Sequence, residues 1–480
     1  MITNRKNNRH KYTVALIATY LCLFLPAYSQ SDSLAVYLDL AARNNPGIVQ
    51  KYNEYQAALQ KVPQVGSLPD PDLSIGIFLS PMEVLSGNQV ADIRLMQMFP
   101  WFGVLKSAKD EMSLMAKAKF ESLREAKLQL FFDVQRTAYE YQRIRQNISI
   151  SQRNVELMRA IERLTLVKFK SSSGSAASTQ SNSLKANSSS ASASGGMSSS
   201  MGGNSANSAS PSTSSGMASS SMGASSGGSD LADVYRIQIE IGDLENSISL
   251  LQNQSRTVTA KFNSYLNRSM ESAIFLSDTL VPDTLGISLI AASDSMLANN
   301  PMLGMLSYEK QSLEARKRMV SRMGYPMVGL GVNYTVISKN PMSNSSMNGK
   351  DMLMPMVTVT LPIYRKKYRA MQAEAVFQQT ATEQSYSTAA NALQTEYYEA
   401  MQLYQDAERR ITLYKAQSAL AQRTLEIMVT RFSASESLLT DILRVRLQTL
   451  DYELKQVEAV ADYNTATAWI KRLMAFSPIQ

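Results

Sequence analysis

The sequence predicts an α+β protein made of two tandem repeats, each with a pair of short β-strands followed by a pair of long α-helices. Three observations predict this class. A set of motifs occurs twice, runs of about ten residues alternate between apolar and small or polar side chains, and long proline-free stretches carry apolar residues at heptad spacing. The chain should therefore contain strands with one apolar face and helices that pack as coiled coils.

The first 29 residues have the composition of a secretory signal peptide, residues 1–29. Basic residues precede an apolar run over residues 14–25, and small residues predict cleavage after Ser29. The alternative is an N-terminal membrane anchor, although 12 apolar residues are few for a spanning helix. Cleavage would remove Cys22 and His10, the only residues of their types, and lower the formal net charge from +8 to +4, because four basic residues leave with them.

This composition restricts the chemistry of the mature chain. Without Cys and His it can form no disulfide, thiol nucleophile, imidazole base or His/Cys metal site. The sequence shows no nucleophile–base set and no phosphate-binding loop, and its modest positive charge gives little support to nucleic-acid binding. We therefore expect neither an enzyme nor a nucleic-acid-binding protein, and no cofactor.

The repeats span residues 30–270 and 287–476, with a connector over residues 271–286. Paired motifs define them: Asn44-Asn45-Pro46 with Asn299-Asn300-Pro301, Phe99-Pro100-Trp101-Phe102 with Leu361-Pro362-Ile363-Tyr364, Lys168-Phe169 with Arg431-Phe432, and Asp233 with Asp441. The second and third motifs are separated by 67 residues in one repeat and 68 in the other, counted from aromatic to aromatic. The third and fourth are separated by 64 and 9 residues, so the first repeat carries a net insertion of 55 residues at one turn.

Alternating patterns predict strands over residues 72–80 and 90–98 in the first repeat and over residues 326–337 and 352–362 in the second. Strands of about 10 residues have the length of a tilted transmembrane strand, and a soluble sandwich is the alternative. Four strands cannot close a barrel wide enough for a channel, so a barrel would need several chains.

Heptad patterns predict long helices over residues 106–170 and 366–432, followed by return helices over residues 230–266 and 438–474. A helix of about 65 residues would be about 100 Å long.

The segment from Leu68-Pro69-Asp70-Pro71 to Gln97-Met98-Phe99-Pro100-Trp101-Phe102-Gly103 resembles the heavy-metal efflux branch, the CusC/CzcC-like members, of the TolC family of outer-membrane factors. The tandem repeat and the paired strands and helices are similar to that family over essentially the whole mature chain. The resemblance implies a non-enzymatic homotrimer in which each chain gives four strands to one 12-stranded transmembrane β-barrel in the outer-membrane lipid. It also implies a coiled-coil α-helical barrel in the periplasm, where a periplasmic adaptor (membrane fusion) protein and an inner-membrane pump dock.

By this resemblance the turns between paired helices form the periplasmic tip. Asp233 and Asp441 match the family's aspartate just after the turn, and Arg236 and Arg444 follow three residues later on the same helix face. The hypothesis is that these charges pair across neighbouring helices and hold the tip closed; the alternative is solvated residues at helix starts. The family's best-known channel has a second aspartate where Arg444 stands, which argues against a cation-selective aspartate ring here.

Two groups of methionines are candidates for soft-metal contacts. The insertion, residues 171–229, is rich in Ser, Gly, Ala, Asn and Met and is predicted to be disordered. It contains Met197, Met201, Met217 and Met222. The second group is Met352, Met354 and Met356, whose parity is opposite to that of the apolar residues of the same strand. Thioethers suit Cu(I) and Ag(I); the alternatives are that the insertion is a tolerated linker with incidental Met and that the strand methionines fill gaps in packing.

Three aromatic residues, Trp101, Phe102 and Tyr364, lie where strand gives way to helix. They are candidates for a membrane-interface girdle or for simple packing beneath the barrel.

The function predicted overall is a passive outer-membrane duct of a tripartite pump, with heavy-metal cations as cargo. The alternatives are a drug or bile-salt duct of the same family and a periplasmic coiled-coil structural protein.

Overall fold

The computed structural model describes residues 34–84, 86–175, 231–277, 279–286, 289–342, 344, 346–433 and 439–476. Its helices are α1 (Leu34–Asn44), α2 (Pro46–Gly66), α3 (Val104–Ser175), α4 (Leu231–Tyr265), α5 (Leu289–Asn299), α6 (Pro301–Met323), α7 (Arg365–Ser433) and α8 (Leu439–Leu473). Its strands are β1 (Asp72–Val84), β2 (Gly87–Phe99), β3 (Met327–Ser338) and β4 (Met352–Thr360). The predicted signal peptide and the four methionines of the insertion, Met197, Met201, Met217 and Met222, lie outside the described residues.

The chain forms two compact units, which are described separately. The first lies within Met1–Ser149, Ser249–Ala416 and Glu453–Gln480, and it contains all four strands. The second lies within Ile150–Ile248 and Gln417–Tyr452 and is made of the C-terminal parts of α3 and α7 and the N-terminal parts of α4 and α8. None of the described helices has a stretch long and apolar enough to cross a membrane.

The four strands form one antiparallel sheet in chain order, β1-β2-β3-β4. The ladder between β2 and β3 is the longest and joins the two predicted repeats. Among the described residues, β1 and β4 each have a strand neighbour on one side only, so the sheet that these residues form has two unpaired edges.

Several element ends differ from the sequence prediction for local reasons. β2 begins at Gly87, three residues before the predicted start, because the turn that precedes it uses the positive φ of 128° that glycine tolerates. β4 ends at Thr360 rather than at residue 362, where Pro362 cannot donate to a strand ladder. α3 begins at Val104, just after Gly103 with φ 83°, and not at residue 106. β1 and β4 begin at the predicted residues, Asp72 and Met352, and the other boundaries shift by one to five residues.

In the described part of the first unit, two of the apolar clusters each belong to one predicted repeat, and a smaller third cluster of Phe132, Tyr139 and Ala468 joins α3 to α8. The first cluster draws on α1, α2, α3 and α4 and includes Leu38, Val134 and Phe262. The second draws on α5, α6, α7 and α8 and includes Met296, Ala400 and Ile470. In each cluster, two short helices therefore pack against one pair of long helices.

The same asparagine contact organises both clusters. Asn45 caps α2 by accepting from Gly47 N at 2.9 Å, and its amide donates to the carbonyl of Tyr265 at the end of α4 at 2.9 Å. Asn300 caps α6 by accepting from Met302 N at 2.9 Å, and its amide donates to the carbonyl of Leu473 at the end of α8 at 3.3 Å. The side chain of each asparagine therefore satisfies free donors at one helix start and a free acceptor at another helix end.

In the second unit, buried apolar residues recur at spacings of three and four along the helices. On α3 they are Val155 and Met158, and on α4 they are Val234, Ile237, Ile241, Leu244 and Ile248. The pair of helices is further joined at its surface, where Arg159 and Glu245 form an ion pair of 2.6 Å and Gln238 donates to Glu162 at 2.8 Å. The heptad pattern thus becomes a packed helical hairpin.

Candidate functional site

The sheet has two chemically different faces. Alternate residues of one face are apolar, and cross-strand rows such as Ile93–Tyr334–Leu353 and Leu330–Val357 lie on it. The other face carries small, polar and thioether side chains, and its rows include Asp92–Thr335–Met352 and Arg94–Asn333–Met354. A sheet with one such face against lipid and the other against water is the arrangement of a transmembrane barrel wall.

The methionines of the polar face differ in their neighbours. Met352 and Met354 lie in rows with an aspartate and an arginine of β2. Met356 lies in a row with Gly331 and Met96, and this row continues to Asp72 on β1. Of the three strand methionines singled out from the sequence, only Met356 therefore has a second thioether in its row.

Apolar residues at the helical end of the sheet line a pocket of about 520 Å³. Trp101 lies in its wall, stacked on Tyr325 with 5.3 Å between ring centroids, and its ring edge meets Phe102 at 5.9 Å. Arg322 fixes the nearby turn by donating to Gly103 O at 3.0 Å and to Ser107 Oγ at 2.9 Å. Arg322 thus connects α6 to the turn before α3, while Phe102 remains 87% exposed.

The equivalent junction after β4 is more exposed and strongly basic. Tyr364 keeps 85% of its surface accessible, and four cations follow it at the start of α7: Arg365, Lys366, Lys367 and Arg369. None of the four forms an ion pair with another residue in the described part of the chain. Exposed aromatic and basic side chains beside an apolar strand are typical of a membrane interface.

In the second unit, the helix ends of the two repeats contact each other. Arg236 on α4 donates to Thr440 Oγ1 on α8 at 3.1 Å. Lys168 on α3 donates to the carbonyl of Phe432 on α7 at 3.3 Å, and its ammonium lies 4.1 Å from the centre of that ring. These two contacts join the ends of the two helical hairpins.

The two aspartates of this region lie in equivalent places. Asp233 and Asp441 are each in the first turn of their helix, where a carboxylate is favoured by the helix dipole. Arg444 is exposed. Neither aspartate forms an ion pair with another described residue of this chain, and the same is true of Arg236 and Arg444. The structure thus brings Arg236 next to Thr440, the residue before Asp441, without pairing the two charges.

A charged groove of about 630 Å³ lies among α3, α7 and α8 in the first unit. Arg472 bridges it by an ion pair with Glu396 at 2.7 Å, and Arg410 pairs with Asp462 at 2.7 Å. Burial raises the pKa of the nearby Glu125 above its usual range, although the charge of Arg472 opposes this effect. The groove has both signs of charge, and the described residues hold no group of three or more His, Cys, Asp and Glu placed to bind a metal ion.

The architecture matches solved structures over nearly all of their length. A membrane protein from Pseudomonas aeruginosa superposes with a TM-score of 0.67 at 13% identity, covering 92% of this chain and 93% of that one. CusC matches with a TM-score of 0.66 at 12% identity (93% and 92% covered), and VceC from Vibrio cholerae with 0.65 at 11% (92% and 97% covered). The chain has the fold of TolC-type outer-membrane channels. No protein-family model matches the sequence, and no curated protein matches it either.

Within the TolC-type channel fold, the sequence analysis identified Met356 and missed Met96 in the same row and Met98 in the next row. Met96 and Met98 share the parity of Asp92 and Arg94, which marks them as residues of the polar face of β2. This parity could have identified both methionines from the sequence as residues of the polar face. Their pairing with β4 was not visible, because it depends on the register of three strands that are far apart in sequence.

Proposed function

We propose that this chain is the outer-membrane channel of a tripartite efflux system and that it works as a homotrimer without enzymatic activity. The observation that carries this proposal is the two-faced sheet with two unpaired edges. Unpaired backbone groups are not tolerated in lipid, so a four-stranded sheet of this kind needs further strands for closure. Three copies would give 12 strands, and the TolC-type fold supports that arrangement.

The decisive experiment is a planar-bilayer recording on the purified, processed protein. We expect a trimeric species by mass measurement in detergent and stable ion-conducting steps in the bilayer. A water-soluble monomer without conductance would contradict the channel and would favour the periplasmic structural protein instead.

The tip proposal concerns the second unit. Asp233, Arg236, Asp441 and Arg444 lie at the ends of the helical hairpins, where we propose that the channel narrows and where a periplasmic adaptor and an inner-membrane pump engage it. Contacts between the hairpin ends, such as Arg236 with Thr440, would keep this end closed at rest.

Charge reversal tests this gate. We expect Asp441→Lys to increase entry of large antibiotics by about tenfold, since a lysine next to Thr440 would repel Arg236 across the contact between the hairpin ends, and about 1.4 kcal/mol of repulsion corresponds to a factor of ten. The measurement is antibiotic susceptibility and resting conductance. Asp243→Lys, at an exposed position further along α4, is the matched control, and an equal leak in both variants would refute the role of Asp441.

For the cargo, we propose soft cations such as Cu(I) and Ag(I). The support is the methionine content of the polar face, because thioethers prefer these ions. Deletion of the gene should sensitise cells to copper and silver; sensitisation to drugs or bile salts without a metal phenotype would assign the duct to those cargoes.

The girdle proposal places Trp101, Phe102 and Tyr364 at the membrane–water boundary, on the periplasmic side of the barrel. Their support is their position at the helical end of the sheet beside exposed basic residues.

A further inference from the structure

We propose that Met96, Met98 and Met356 form a thioether site for Cu(I) or Ag(I) on the polar face of the sheet, with Asp72 at its edge. The biological role of this site rests on the proposed function, because the site can contact cargo only if cargo passes over this face of the sheet. The binding itself is a property of the chain that can be measured without transport.

Strand register brings the ligands together. Met96 on β2 and Met356 on β4 are both partners of Gly331 on β3, so they face each other across a residue that has no side chain. Strands lie about 4.8 Å apart, which puts the two methionine backbones about 10 Å from each other. Two long, flexible thioether side chains can meet over that span.

A second glycine leaves room for the third ligand. Met98 is the partner of Gly329 on the same face. Its Sδ lies only 2.6 Å from where a Cβ at Gly329 would be, so the thioether occupies the space that this glycine leaves open. The three methionines thus lie around Gly329 and Gly331, which have no side chains to fill this part of the polar face.

The chemistry of this set is selective. Thioethers bind Cu(I) and Ag(I) and leave hard cations such as Mg²⁺ and Ca²⁺ to oxygen ligands. Asp72, the partner of Met96 on β1, adds a negative charge that attracts any cation.

A buried polar atom beside the cluster supports a ligand there. Asn333 lies two residues from Gly331 on the same face and is only 7% exposed. Its Oδ1 accepts no hydrogen bond from any described residue. Such an oxygen is costly without a partner, and a water carried by a bound ion would supply one.

Arg94 keeps the site weak. It lies two residues from Met96 on the same face, about 7 Å along the strand, and its charge repels a bound cation. Weak binding suits a conduit, because an ion that binds tightly leaves slowly.

The test is Ag(I) binding to the full-length protein in detergent and chloride-free buffer, measured by equilibrium dialysis with elemental analysis. The cluster variant Met96→Leu/Met98→Leu/Met356→Leu keeps side-chain volume and polarity of the strands nearly unchanged. The control variant Met82→Leu/Met270→Leu/Met342→Leu removes three exposed thioethers elsewhere. We expect the cluster variant to bind about one Ag(I) fewer per chain or to bind it at least about tenfold more weakly, and the control to match the wild type.

Charge variants make the test sharper. Asp72→Asn should weaken and Arg94→Gln should tighten Ag(I) binding, each by about threefold, as expected for unit charges about 7 Å away in water. Equal silver content of cluster variant and wild type, or an equal loss in the control, would overturn the site. Bilayer conductance of the same preparations separates the two claims: the leucine variant should conduct normally, and a wild type that binds silver without conducting would refute the channel and not the site.

Discussion

At the scale of the residue, the paired asparagines show how one side chain can fix three elements. In the first repeat, the side chain of Asn45 caps the second short helix and donates a hydrogen bond to the last carbonyl of the return helix. Asn300 makes the same two contacts in the second repeat. The Asn-Pro motif in the sequence indicates the cap, because Pro is favoured at the first position of a helix. The bond to the return helix could not be predicted, since Asn45 and Tyr265 are 220 residues apart.

We predict that Asn45→Ala lowers the free energy of unfolding by about 1–2 kcal/mol, because it removes a cap and leaves a helix-end carbonyl without a donor. Asn45→Asp should have a smaller effect, since the carboxylate keeps the cap and loses only the amide donor. Thermal unfolding followed by circular dichroism in detergent measures both. Asn44→Ala, at the exposed neighbouring position, is the control, and a similar loss there would contradict the assigned role.

At the scale of the element, the sequence predicted the strands and helices better than their contacts. Alternation and heptads located all four strands and all four long helices, because period and face are local properties. Strand ends depended on particular residues, such as Gly87 and Pro362. The thioether row depended on register, which is set by long-range pairing, so Met356 could be assigned a face but not a partner.

The two glycines of β3 should respond differently to substitution. A Cβ at Gly331 would lie 2.8 Å from the carbonyl oxygen of Leu95, a backbone atom that cannot move without disturbing the ladder. A Cβ at Gly329 would be too close only to the movable thioether of Met98, at 2.6 Å, and its next neighbours lie at ordinary van der Waals distances of 3.5 and 3.6 Å. We expect Gly331→Ala to destabilise the sheet by about 1–3 kcal/mol and Gly329→Ala to be milder. The yield of heat-modifiable oligomer from membranes reports this, and an equal yield for both would show that the backbone contact is unimportant.

At the scale of the whole molecule, the two faces of the sheet should have opposite tolerance for charge. Val357 lies on the apolar face and is 70% exposed in a single chain, whereas its neighbour Thr358 lies on the polar face. We expect Val357→Lys to cost about 2–4 kcal/mol in the membrane and to block assembly. Thr358→Lys should assemble and shift the ion selectivity of the channel towards anions.

Membrane fractionation and reversal-potential measurements check this pair. Normal assembly of Val357→Lys together with failure of Thr358→Lys would mean that the faces have been assigned the wrong way round, and failure of both would mean that neither face lines a water-filled space.

The open edges of β1 and β4 also affect the newly made chain. Before it meets other copies, a single molecule offers two rows of free backbone donors and acceptors beside apolar side chains such as Leu79, which is 98% exposed. Such a surface can template aggregation as readily as correct assembly. We therefore expect the newly made chain to need a chaperone that shields these strands in water, and we expect overproduction to yield insoluble protein before it yields assembled oligomer.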